Sequence, residues 1–192
     1  SNADTCCLGN NFTILEFTTR YVDVYAYDKS IKPLQNVPVV SGATAWDDPA
    51  SGQTFILVIN EALYYGTKLD HSLINPNQIR SFGISYWDNP FDESRPISIG
   101  PIGDDYNLII PLTTVGTKIQ FLSRAPTPEE LLHCPHIQLT SKKDWNPTQV
   151  SLDSLTQVSR TLIPNELPTP NNMYRIQISQ PRSLRRGAFA VV

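Results

Sequence analysis

The sequence predicts a mainly β protein with one or two short helices. Three observations carry this reading. Sixteen prolines stand against a single methionine in 192 residues, and long uninterrupted apolar periods are few. Residues 12–27, FTILEFTTRYVDVYAY, are dense in the β-branched and aromatic side chains that suit a pleated surface. Turn residues separate one such run from the next, as in DDPASGQ at 47–53.

Taken in order, residues 12–27 form one strand or two, with a break near Thr18–Arg20. Residues 37–46 and 54–66 form the arms of a hairpin whose mobile tip is 47–53. There Asp and Pro start the turn and Gly supplies positive φ. A short helix starts near Asn75, because Pro76 is tolerated in a first turn, and Gly83 stops it. Residues 95–103 and 106–122 read as further strands, with a turn or bulge at Gly116. TPEELLH at 127–133 carries a helix start: Thr127 to cap, Pro128 for the first turn, and Glu129 and Glu130 to complement the dipole. HIQLT at 136–140 is a short strand.

One domain is expected over residues 4–145. Ser1, Asn2 and Ala3 read as the remnant of a cleaved purification tag. Residues 146–192 read as a Pro-rich linker and a C-terminal segment carrying Arg175, Arg182, Arg185 and Arg186. That segment is either a solvated tail, a strand packed back on the domain, or a contact for a phosphate or an acidic partner.

Bulk composition excludes several classes. A net charge of −3 argues against general nucleic-acid binding. No apolar run approaches 18 residues, so no membrane span is expected. Charged residues are only 17% of the chain, which implies an amide- and hydroxyl-rich surface or one covered by a partner. Three cysteines fit no paired framework. Reduced thiols and an intracellular setting follow, with a bridge from Cys6 or Cys7 to Cys134 as the alternative.

Three constellations bear on chemistry. Asp4-Thr5-Cys6 has the order in which an aspartic protease presents a carboxylate beside a hydroxyl, although Cys replaces the usual Gly. Such enzymes need two carboxylates sharing one proton. His133-Cys134-Pro135-His136, with Cys6 and Cys7, holds zinc-type ligands at a spacing too tight for a typical site, so a helix end entering a strand is the plainer reading. The acid pairs Asp47-Asp48, Asp92-Glu93 and Asp104-Asp105 read as solvated turns.

The stretches ADTCCLGNNF, NVPVVSGATAWDDPASGQTFILVINEALYYGTKLDHSLINPNQIRSFGISYWDNPF and CPHIQLTSKKDWNP resemble the protease segment of copia-type retrotransposon polyproteins, over about residues 3–150. LDHSLINPNQIRSFGI is the most specific part. The resemblance implies a retropepsin-like closed β-barrel, a flap hairpin near 37–58, and a homodimer that cuts a polypeptide without cofactor or metal. It also implies a cytoplasmic or particle location. In the lineage concerned the active-site motif reads Asp-Ser/Thr-His-Ala-Asp-Thr. Ala3, Asp4 and Thr5 match its second half, which puts the family's catalytic Asp one position before Ser1. Asp4 and Thr5 are then the candidate catalytic residues within the chain. Asp4 also matches an acid that binds substrate backbone, and Trp46 and Asp47 are candidate substrate-binding residues of the flap. For Trp46 the alternative is ordinary strand packing. The alternative function is a noncatalytic β-barrel that binds peptide or dimerises.

Overall fold

The computed structural model describes residues 4–26, 28, 30–103 and 107–150, and the backbone of a strand at 188–191. Its frame is a hairpin of two long strands, β3 (Leu34–Asp47) and β4 (Thr54–Gly66). β4 reads FILVI with no polar alternation because both of its faces are covered. Phe55, Leu57 and Ile59 point into the main core, where Leu8, Ile74, Ile79 and Leu139 meet them. Ile56 and Val58 point the other way, into a smaller cluster closed by Leu131.

The remaining elements are arranged around this hairpin. β2 (Thr13–Val24) pairs antiparallel with β3 and is continuous through Thr18–Arg20, with register shifts instead of the expected break. On its far side β4 takes two parallel partners, β1 (Cys7–Gly9) and β11 (His136–Gln138). β5 (Ser72–Leu73) lies antiparallel to β1 and leads directly into α1 (Pro76–Ser81). β6 (Tyr86–Trp87), β7 (Ser98–Ile102) and β8 (Leu108–Pro111) form a second sheet that adds Tyr86, Ile99 and Ile110 to the main core. β9 (Thr113–Val115) and β10 (Lys118–Ser123) are joined by a turn in which Gly116 has φ +61°, as the glycine signal predicted. α2 (Pro128–His133) has the predicted capping box, with Thr127 and Glu130 each bonding the other's backbone N–H. α1 likewise starts under Asn75, whose carboxamide oxygen accepts from the N–H groups of Asn77 and Gln78.

One expectation needs correction. Among the described residues no closed barrel is found. The main sheet runs β2-β3-β4-β1-β5-β12-β10-β9, and β10 returns to β3 only through one bridge, Ala45 to Arg124. In the C-terminal segment β12 (Ala188–Val191) is a strand inserted between β5 and β10, one of the readings that the sequence offered. Asp104, Asp105 and the four C-terminal arginines lie outside the described residues.

Candidate functional site

The turn at Asp4-Thr5 sits at the entrance to β1, and its surroundings are built by four separate segments. The Asp4 side chain is exposed and accepts a hydrogen bond from the Thr5 hydroxyl at 3.1 Å. One residue on, the chain dives into the core. The Cys6 N–H donates to Gln78 Oε1 at 2.9 Å, and Cys6 Sγ accepts from the Asn75 N–H at 3.2 Å. The Cys6 carbonyl accepts from Leu63 N–H, so β4 holds the turn from the other side. Gly9 closes this short strand against the Leu69 carbonyl, an approach that leaves no room for a Cβ.

Gln78 is the joint of the site. It is 2% exposed, and the hydrogen bonds of its side chain all go to main chain. Its Oε1 takes Cys6, while Nε2 donates to the carbonyls of Asn60 (3.1 Å) and Glu61 (3.0 Å). Those two residues form a bulge in β4: pairing passes from Val40↔Ala62 to Gly42↔Ile59, so Asn60 and Glu61 together oppose Ser41. Glu61 has φ +55°, a conformation costing a non-glycine residue roughly 1–3 kcal/mol. The bulge turns a carboxylate out of an otherwise apolar strand. That carboxylate is only 6% exposed, and its Oε2 accepts from Arg20 Nη1 at 2.7 Å and from the Trp145 N–H at 3.0 Å.

Trp145 spans the gap back to the turn, its indole N–H donating to the Asp4 carbonyl at 2.9 Å. Arg20 also pairs with Asp144 at 2.9 Å. On the opposite flank Tyr65 lies close to Cys7 and Asp4. Burial first, then those two groups, push its phenol up to about 12. Burial likewise raises the thiols of Cys6 to about 12 and of Cys7 to about 11, so neither is a nucleophile at neutral pH.

Asp4 and Thr5 are therefore brought together with Glu61, Gln78, Arg20, Trp145 and Tyr65. Among the described residues no second carboxylate is hydrogen-bonded to Asp4, and Glu61 is committed to Arg20 and Trp145. The signal for Glu61 was present in the sequence, as a lone charge inside LVINEAL; Gln78, in contrast, looks like any helix polar residue.

Trp46 and Asp47 stand at the end of β3, before the turn of the β3–β4 hairpin. Trp46 is 4% exposed and packs on Phe55 with ring centroids 6.1 Å apart, so it is a core residue and not a lid tip. Asp47 is bound to Arg124, which also grips Glu130. The turn beyond is tied by Asp48, whose carboxylate accepts from Ala50 and Ser51. The hairpin that does project is β2–β3. Among its described residues none from Tyr21 to Asn36 is buried, and Tyr21 and Tyr25 are 61% and 74% exposed. The inward-facing Val22 and Val24 of this arm pack with Cys7, Leu69 and Leu73, beside the Asp4 turn.

The zinc-type ligands are not gathered. Cys6 belongs to the main core and Cys7 to the cluster under the arm, while Cys134 caps α2 and accepts at its carbonyl from the His136 ring. All three thiols are free. Among the described residues no group of three or more His, Cys, Asp and Glu side chains is placed to hold a metal. No helix among them is long and apolar enough to cross a membrane. No family model, no curated protein and no solved structure matches the chain.

Proposed function

We propose that the chain is the retropepsin-like protease segment of a retroelement polyprotein, an aspartic-type endopeptidase acting on extended polypeptide. It works as a homodimer in a cytoplasmic particle and needs no cofactor. One observation carries this. The segment of most specific resemblance, LDHSLINPNQIRSFGI, and the Asp4-Thr5 turn are joined through Cys7↔Leu73 pairing and the Gln78 and Asn75 bonds to Cys6. A turn presenting Asp and Thr is thereby clamped between a short strand and a helix, the support that a fixed carboxylate requires.

In this reading Asp4 and Thr5 orient substrate main chain, and the water-activating Asp is the one the resemblance puts before Ser1. The β2–β3 arm, which projects beside the turn, replaces 37–58 as the closing element. Substrate is held between the two, with its backbone extended. General acid–base activation of water needs one ionised and one protonated carboxyl, hence two acids at the site.

A second reading is a noncatalytic peptide-binding or dimerisation domain of retroelement origin. The contacts of Trp145 with the Asp4 carbonyl and the Glu61 carboxylate favour it, since they hold polypeptide without a reacting acid. Cleavage of a peptide mixture between about pH 4 and 7 separates the two. The chain is compared with one carrying its native upstream sequence, with pepstatin-type inhibition as control. Activity confined to the extended form supports the protease. Activity of the present chain that Asp4→Asn abolishes makes Asp4 the catalytic acid. Silence of both forms favours the binding domain.

A further inference from the structure

After β11 the chain runs along the surface as a strap, residues 141–150, none of which is buried. It is anchored at Thr140, whose hydroxyl accepts from the Asn60 N–H (2.7 Å) and donates to the Asn60 carbonyl (2.9 Å). Beyond that anchor it touches the domain through Asp144 and Trp145. Asp144 pairs with Arg20, the Trp145 N–H meets the Glu61 carboxylate, and the indole N–H meets the Asp4 carbonyl. A main-chain N–H given to a buried acceptor, flanked by one acidic and one aromatic side-chain contact, is how a bound peptide engages a receptor. The acceptor is the Glu61 carboxylate, 6% exposed, carried by a residue with left-handed backbone in the bulge of β4.

We propose that this ground is a polypeptide-binding site selecting an acidic residue followed by an aromatic one, and that Asp144-Trp145 fills it as an internal ligand. Arg20 reads the acid, the Asp4 carbonyl reads the indole N–H, and Glu61 takes the main-chain N–H between them. This rests on the reading of the Asp4 turn as a polypeptide site, but not on that site's being catalytic. A strap with no buried residue opens locally without unfolding the sheet. Occupancy by an incoming chain therefore requires only that the strap lift.

The test uses a synthetic peptide copying residues 141–148, SKKDWNPT, and the full chain carrying Asp144→Asn with Trp145→Phe. Hydrogen exchange in 143–147 is expected to quicken about tenfold in the double variant, because the Asp144–Arg20 ion pair and the indole hydrogen bond are gone. The peptide should bind that variant at least about tenfold more tightly than it binds wild type, since no strap competes. Peptides with Asn for Asp or Phe for Trp should lose that binding, as should the double variant with Glu61→Gln added. If Glu61→Gln fails to fold, judged by circular dichroism, the altered peptides carry the same test from the ligand side. Equal binding by wild type and variant overturns the internal-ligand inference. So does unchanged exchange, or a freed strap with no peptide bound. The cleavage assay above reads the protease proposal separately, so failure of either leaves the other identifiable.

Discussion

Arg124 holds Asp47 with two hydrogen bonds, Nε to Oδ2 at 2.9 Å and Nη2 to Oδ1 at 2.8 Å. The same guanidinium takes both oxygens of Glu130, at 2.8 and 2.6 Å. One cation thus ties the end of β3 to α2, at the bridge where β10 meets β3. Arg is suited to this because its planar fork serves two carboxylates at once.

Arg124→Gln should therefore lower stability, but modestly, since Arg124 is 37% and Asp47 53% exposed. About 1 kcal/mol is expected after solvent screening, or roughly 2–4 °C in Tm. The pH dependence has a definite sign. Hydrogen bonds from Arg124 hold the carboxyls of Asp47 and Glu130 below their ordinary range. Their contribution is complete above the unfolded carboxyl pKa of about 4 and is lost as pH falls through the lowered folded values. Urea midpoints measured from neutral pH downward should fall less steeply in Arg124→Gln than in wild type. Parallel curves would mean the pair adds nothing.

Gln78→Leu tests the joint of the site. The change roughly keeps volume but strands the Cys6 N–H and the Glu61 carbonyl, while the Asn60 carbonyl keeps the Thr140 hydroxyl. Buried groups left unpaired cost about 1–3 kcal/mol each, so a loss near 3 kcal/mol is expected. A drop below about 1 kcal/mol in denaturant titration would show that water reaches these groups and that Gln78 is not what holds the turn.

Thiol labelling checks the burial beside Asp4. Cys6 is fully buried and Cys7 7% exposed, whereas Cys134 is half-buried at the end of α2. Burial raises all three thiols, which keeps them protonated at pH 8. Cys134 should react first with a disulfide reagent in native protein, with Cys6 and Cys7 following only on denaturation. Fast reaction of Cys7 would place the β1 entrance open to solvent.

Amide exchange distinguishes the two candidate lids. β4 is buried on both faces and paired along both edges, so its amides should be the slowest. The β2–β3 arm from Tyr21 to Asn36 should exchange much faster than the pinned turn at 47–53. The reverse order would restore 37–58 as the moving hairpin.

The extent of β4, both helices, the Thr127 cap and the Gly116 turn were legible because each rests on local chemistry. An apolar run, a Thr three residues ahead of the N–H that it caps, and a glycine able to take positive φ act over a few residues. β1, β5 and β6 were not legible. Strands of two or three residues carry too little pattern, and they exist only because β4, β1 and β7 supply the opposite hydrogen bonds. Trp46 illustrates the limit in another way. Beside Asp, Pro and Gly it reads as a loop aromatic, yet it faces Phe55 within the core, because strand direction is set by register and not by neighbours.

By itself, then, the sequence determined the mainly β class, the central hairpin and the Asp4-Thr5 turn as a place to look. Tertiary structure alone decided what surrounds that turn. Arg20, Glu61, Gln78 and Trp145 are up to 141 residues from Asp4 along the chain. They converge through a bulge, a helix and a strap whose positions depend on pairing between distant strands. Hydrogen bonds of that reach leave no periodicity in a sequence, because their geometry exists only once the sheet has formed.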